Sequence, residues 1–211
     1  MKRFILILPV LLVLVTQAFS LTSDELSSTI EKRYKSFKDI SMDFTQTTKS
    51  EIFSTEKNTR GKMYLKNPDK FRIDTPSQNI VTDGKLLWFF SEKNNQVTIH
   101  KLNESKNIFK PHDYLYNFRA DYKPQLGEDE RVDKRPCFKL VLTPIKEDLF
   151  ITKMTLWIDK KDFLVRKLEY RDMNDNWVSL VFTRIKINSD LVDSQFVFTP
   201  PRGTEVVDLT E

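Results

Sequence analysis

Two histidines and one cysteine are the residues of this chain best suited to nucleophilic or metal chemistry. His100 falls in a strand-like alternation. His112 follows Pro111 and has only the adjacent Asp113 as a ligand-type neighbour, which does not form a chelating pair, so the pattern points away from a bound metal. Cys137, in Pro136-Cys137-Phe138-Lys139, opens an apolar run, has no histidine near it in sequence and has no partner for an internal disulfide. It reads as a small core residue, and a nucleophile only if the fold brings His100 or His112 to it. Asp172, Asn174 and Asn176 imitate the start of a calcium loop, but Trp177 stands where glycine is needed and Thr183 where the bidentate glutamate belongs. A polar turn explains them better. Glu128-Asp129-Glu130 are adjacent, so their carboxylates point apart rather than across a scissile bond. There is no Gly-x-Ser-x-Gly elbow, and Gly61, Gly84, Gly127 and Gly203 lie too far apart for a dinucleotide fingerprint or a P-loop. These residues predict no catalytic set, no metal and no cofactor, hence a non-enzyme.

What remains is apolar surface and the elements that carry it. Lys2 and Arg3 precede Phe4 to Val15, an uncharged run that ends near small residues at Ala18 and Ser20. This predicts a signal peptide over residues 1–20, too short to span a membrane as a helix, and an exported, soluble domain over 21–211. No cysteine sits near the cut to receive lipid. Losing Lys2 and Arg3 lowers the positive count from 34 to 32 against 30 acidic residues, so a dedicated nucleic-acid surface is not expected.

From Thr22 to Phe37 the spacing predicts a helix, opened by a Thr22/Glu25 capping box and striped by Leu26, Ile30, Tyr34 and Phe37. From Ile40 onward the period is two, through Ile40/Met42/Phe44, Met63/Leu65 and Phe71/Ile73, with a hairpin at Asp83-Gly84 and a turn over Glu92 to Asn95. Asn103 to Ala120 loses the alternation, with short helical pieces expected around Pro111. The meander resumes at Phe138, and a last segment at Phe196-Val197-Phe198 stops at Pro200-Pro201. The expected fold is one α+β domain built on a large antiparallel sheet with an amphipathic helix on one face. Periodicity leaves open whether helix and sheet form a plain core or enclose an apolar cavity.

Several segments in order resemble one family. They are Phe44-Thr45-Gln46, Gly61 through Asp74 (including Leu65-Lys66-Asn67-Pro68), Ile80 through Trp88, Leu142-Thr143-Pro144, Leu156-Trp157-Ile158-Asp159, and Phe196 through Gly203. Together they are similar to the periplasmic outer-membrane lipoprotein carriers, the LolA family. The resemblance implies an incomplete, unclosed antiparallel β-barrel whose N-terminal and short central helices form a lid over an apolar cavity. It implies a periplasmic monomer that takes acylated lipoproteins from an inner-membrane ABC-type transporter to an outer-membrane acceptor. By that resemblance Leu26, Ile30 and Phe37 line the lid helix, and Ile40, Phe44, Phe71, Ile73, Ile80 and Trp88 face the acyl chains from the sheet. Phe71 is also a candidate contact for the transporter. Some members latch the lid with an arginine before the proline; here Asn67 stands there, with Arg72 or Arg60 as substitutes, and asparagine supplies no charge-assisted bond. The rival readings are a lipid- or lipoprotein-sensing module of the same fold, a small outer-membrane barrel, disfavoured by the polar end Asp208-Leu209-Thr210-Glu211, and an exported hydrolase.

Overall fold

A computed structural model describes residues 21–50, 54–104, 109–147 and 149–210; the signal peptide expected over 1–20 lies outside these. Helix α1 (Ser23–Lys35) starts where the sequence says it should. The Thr22 side chain accepts from the Glu25 N–H while the Glu25 carboxylate accepts from the Thr22 N–H, so two orphan donors are satisfied reciprocally. Asp24 and Glu25 in its first turn and Lys32, Arg33 and Lys35 in its last match the helix dipole. The helix ends two residues before Phe37, yet Phe37 stays buried and continues the apolar stripe of Leu26, Ile30 and Tyr34.

The rest of the domain is dominated by one sheet. In chain order its strands are β1 (Asp39–Ser50), β2 (Thr55–Lys66), β3 (Lys70–Asp74), β4 (Gln78–Thr82), β5 (Leu86–Ser91) and β6 (Gln96–Lys101). After α2 (Pro111–Leu115) and a 3-10 turn at Phe118–Ala120 come β7 (Tyr122–Leu126), β8 (Glu130–Val132) and β9 (Arg135–Pro144). Then follow β10 (Ile151–Asp159), β11 (Val165–Asp172), β12 (Asn176–Ile187) and β13 (Glu205–Asp208). The spatial order is β13-β6-β5-β4-β3-β2-β1-β12-β11-β10-β9-β7, with β8 also on β9. The end strands β13 and β7 do not pair, so the sheet is not closed into a barrel. All pairings are antiparallel except β13 on β6, which runs parallel. Two expectations at the C-terminal end are corrected. Phe196 closes a 3-10 turn (Asp193–Phe196) instead of starting a strand, and the final strand lies later, at Glu205–Asp208.

Period-two alternation sends the two sets of side chains to opposite faces. On the inner face Ile40, Met42 and Phe44 of β1 join Met63, Leu65, Phe71, Ile73, Ile80, Leu140, Leu156, Leu168 and Leu180 in one large buried cluster, covered by α1 and by the segment from α2 to Tyr122. Gly61 is required there, because a Cβ at this position would come within 2.4 Å of the Phe44 ring and 2.5 Å of the Asp74 carbonyl oxygen. On the outer face Val81, Trp88, Phe90 and Val97 make a second, smaller cluster with Phe198 packed on it.

Candidate functional site: the lidded inner face

The helices that cover the inner face are tied to the sheet by a few side-chain hydrogen bonds, three of them at Asn67. Asn67 follows β2, and its Nδ2 donates to the carbonyl oxygens of Phe37 (2.6 Å) and Tyr34 (3.2 Å) at the end of α1. The Asn67 Oδ1 accepts from the Tyr116 hydroxyl (3.1 Å), just past α2. One side chain thus holds both covering helices. The Tyr34 and Tyr116 rings stack with centroids 5.1 Å apart, and the Tyr34 hydroxyl accepts from the Val165 N–H at the start of β11 (3.1 Å). Burial raises both phenols well above their ordinary range, so they stay neutral hydrogen-bonding groups. Towards the rim, Arg33 Nε donates to the Asp162 carbonyl (3.4 Å) and Arg119 Nη1 to Ser28 Oγ (3.1 Å).

His112 in α2 packs against Phe71 (6.1 Å between centroids) and Tyr116 (5.6 Å). Its Nε2 is buried without a hydrogen-bond partner among the described residues. Burial lowers its pKa to about 4, against a smaller opposing pull from Asp69, so the neutral imidazole belongs to the closed arrangement.

Beneath the covering helices the side chains of one large apolar cluster are buried against one another. Beside Asn67, Tyr34 and Phe37 the remaining cavity measures about 10 Å³, room for about one water molecule. At this point helix and sheet meet as packed side chains.

Leu26, Ile30, Phe37, Ile40, Phe44, Phe71, Ile73 and Ile80 all lie in that cluster. Trp88 does not. It stands on the outer face with Val81 and Phe90, and its neighbours Leu87 and Phe89 turn inward instead. β5 is apolar from Leu86 to Phe90, so both faces are buried and alternation gives no sign of which residues turn inward. Among the latch candidates only Asn67 reaches the lid. Arg72 forks onto Asp74 (2.8 Å) and donates to the Gln195 carbonyl (3.3 Å), and Arg60 is exposed on β2 opposite Thr45. Tyr116 was missed; it lies in a stretch without a clear period, and its function shows only when Asn67 meets it.

The residues examined for chemistry stay apart. His100 sits on β6 opposite Leu87. Cys137 is fully buried, its Sγ directed at the Arg135 carbonyl oxygen (3.5 Å), and burial pushes its thiol up, which makes it inert. Among the described residues no group of histidine, cysteine and carboxylates could hold a metal, and no helix is long and apolar enough to cross a membrane. The Asp172 turn bonds its own backbone, with the carboxylate accepting from the N–H groups of Asn174 and Asn176.

Comparison with known proteins gives a consistent picture. A family model described as "Outer membrane lipoprotein carrier protein LolA" matches residues 35–199. An outer-membrane lipoprotein carrier protein of Nitrosomonas europaea is 28% identical over 173 residues, covering 78% of this chain and 80% of the relative. An uncharacterized protein of Methanocaldococcus jannaschii is 28% identical over 195 residues, which cover 89% of this chain; the chain spans about half (54%) of that relative's length. A crystal structure of an uncharacterized conserved protein from Thermus thermophilus shares the fold, with a TM-score of 0.60 at 15% identity, over 88% of this chain and 98% of that one. Family and fold support a lipoprotein-carrier or lipoprotein-binding role.

Proposed function

The chain belongs to the outer-membrane lipoprotein carrier family LolA, and from that membership we propose that its lidded inner face binds the acyl chains of lipoproteins and carries them across the periplasm without chemistry. The cargo would come from an inner-membrane ABC-type transporter and pass to an outer-membrane acceptor, with the carrier acting as a monomer. The observation that supports this most is the asymmetry of the closure. A large apolar interior is sealed by helices that no strand pairing holds, through a knot of hydrogen bonds centred on Asn67.

Covering an acyl chain of a dozen methylenes is worth about 10 kcal/mol, too much for ready release. Here the chain enters only by displacing the lid and the side chains beneath it, so the cost of opening is subtracted from the gain and net affinity stays moderate. Leu26, Ile30, Phe37, Ile40, Phe44, Phe71, Ile73 and Ile80 would touch cargo in the open state.

The test is co-purification of the mature protein from cells that make a tagged lipoprotein, in its acylated form and in a form whose lipid-bearing cysteine is replaced. Retention of the acylated form alone is expected. Equal retention of both forms, or of neither, overturns the reading.

A further inference from the structure

The near balance of charge in the sequence conceals a segregation in space. The outer face of the sheet is divided: over β4 to β6 it is apolar, and the chain's own C-terminal segment is tied to it from Asp39 of β1 past Lys66, Lys70 and Arg72 to the β6 edge, whereas farther along β2, β1 and β12 several outer-facing residues are exposed. In the centre of this second part Arg60, Lys62 and Lys186 are exposed, and none of them forms an ion pair among the described residues. Lys62 stands directly opposite Asp43 and Lys186 opposite Ser41. Lys62 also stands opposite Asp74 of β3, and each acid beside it is engaged by an arginine, Asp43 by Arg184 and Asp74 by Arg72. Lys62, Lys186 and Arg184 border, with Ser41 and Tyr64, a shallow hollow of about 370 Å³.

The cationic character continues along the same face. Trp157 lies under Lys139 (5.6 Å) and Lys167 (4.4 Å), and Trp177 under Lys153 and Arg171 (5.8 Å each). Several of these flanking cations have acidic partners, Lys139 with Glu130 and Lys167 with Glu169, so the surplus is concentrated at β2, β1 and β12 and fades towards β9.

We propose that this outer face is a docking surface for an anionic phospholipid membrane. The unpaired cations stand on β2 and β12, on either side of β1 and so about 10 Å apart, and paired ones continue the array towards β9, which suits a row of headgroups. Cations near an anionic surface each raise affinity about fivefold, and half-buried Trp177 under Lys153 and Arg171 suits the headgroup zone. The face offers charge and little exposed apolar area, so attachment is reversible and falls with salt. It lies on the side of the sheet away from the lid, so docking leaves α1 and α2 free. The inference stands on surface charge and does not require that the inner face bind acyl chains.

The test is flotation of the cargo-free mature protein with vesicles of phosphatidylethanolamine and phosphatidylglycerol, compared with phosphatidylcholine alone. Binding to the anionic vesicles at low salt and its loss at high salt are expected. Replacing Arg60, Lys62 and Lys186 by glutamine should weaken it roughly hundredfold with unchanged thermal unfolding. A control with Lys93, Lys123 and Arg202 replaced, which removes the same charge from other exposed positions, should leave binding nearly intact. No binding to anionic vesicles overturns the proposal, even where an acidic protein partner is retained, and so does an equal loss in the control.

Discussion

Two pieces of chain cover this sheet, and they are fastened in opposite ways. The inner cover, α1 with α2, hides the larger apolar cluster but rests on it through side chains, with Asn67 as the main polar tie. The outer cover is the segment that follows β12. It hides a small cluster, with Phe198 against Phe90 at 5.3 Å, yet it is stitched along its length. The Asp39 carboxylate accepts from the N–H groups of Ser189 and Leu191, Asp193 pairs with Lys66 and Lys70, and Arg72 donates to the Gln195 carbonyl. Asn95 then donates to the Gly203 carbonyl, and β13 joins β6 through four paired residues. Apolar contact is large and non-directional, so a cover held by it alone can lift and settle again. A backbone ladder must break bond by bond. If the proposed cargo enters, the inner cover is the part that would have to open, since no backbone ladder ties it to the sheet.

Variants can break or sharpen that contrast. The largest loss is expected from Phe71→Ala, which empties a fully buried site beneath the lid; chemical denaturation should show a decrease of about 3–5 kcal/mol. Acid comes next. His112 has a folded pKa of about 4 against an ordinary 6.5, so the unfolded or open state binds the extra proton between those values. Stability of the closed lid is full above about pH 6.5 and falls as pH drops towards 4, by about 1.4 kcal/mol per pH unit at most. Hydrogen exchange in α1 and α2 should quicken over that range while β13 stays protected, and His112→Leu should flatten the response. Asn67→Ala removes the knot and leaves carbonyls at the end of α1 without their partner. It should cost about 1–3 kcal/mol and raise exchange in α1, again without freeing β13. The smallest effect belongs to Asp193→Asn on the outer cover, where the carboxyl is held below its usual range by Lys66 and Lys70 but is exposed. Only a slight rise in exchange at Val206 and Val207 is expected. A larger response there than in α1 would reverse the assignment of which cover moves.

Much of this was legible in the residues. The capping box fixes the start of α1, and the i, i+4, i+8 stripe names the face it buries. Alternation places Ile40, Phe44, Phe71 and Ile73 on one side. The same rule, applied to β3, shows that Arg72 must face away from Phe71 and Ile73 and hence cannot reach the lid. Trp88 was not legible, because a strand apolar on both faces carries no alternation. The strand at Glu205–Asp208 was not either: four residues, mostly exposed, owe their form to the β6 edge beside them. Whether the interior is full or hollow depends on how side chains from α1 and a dozen strands interdigitate, a sum over distant residues that no local pattern contains.

The gap between β7 and β13 has a geometric consequence. In a closed barrel the number of strands and their shear fix the circumference, so the enclosed volume is set once the hydrogen bonds are made. A sheet whose end strands never meet has no such circumference. It can flatten or curl by small changes of twist shared among its strands while every ladder stays intact. Strand pairing alone thus sets no fixed internal volume here, and the proposed cargo would meet the bending of a spring instead of the walls of a box.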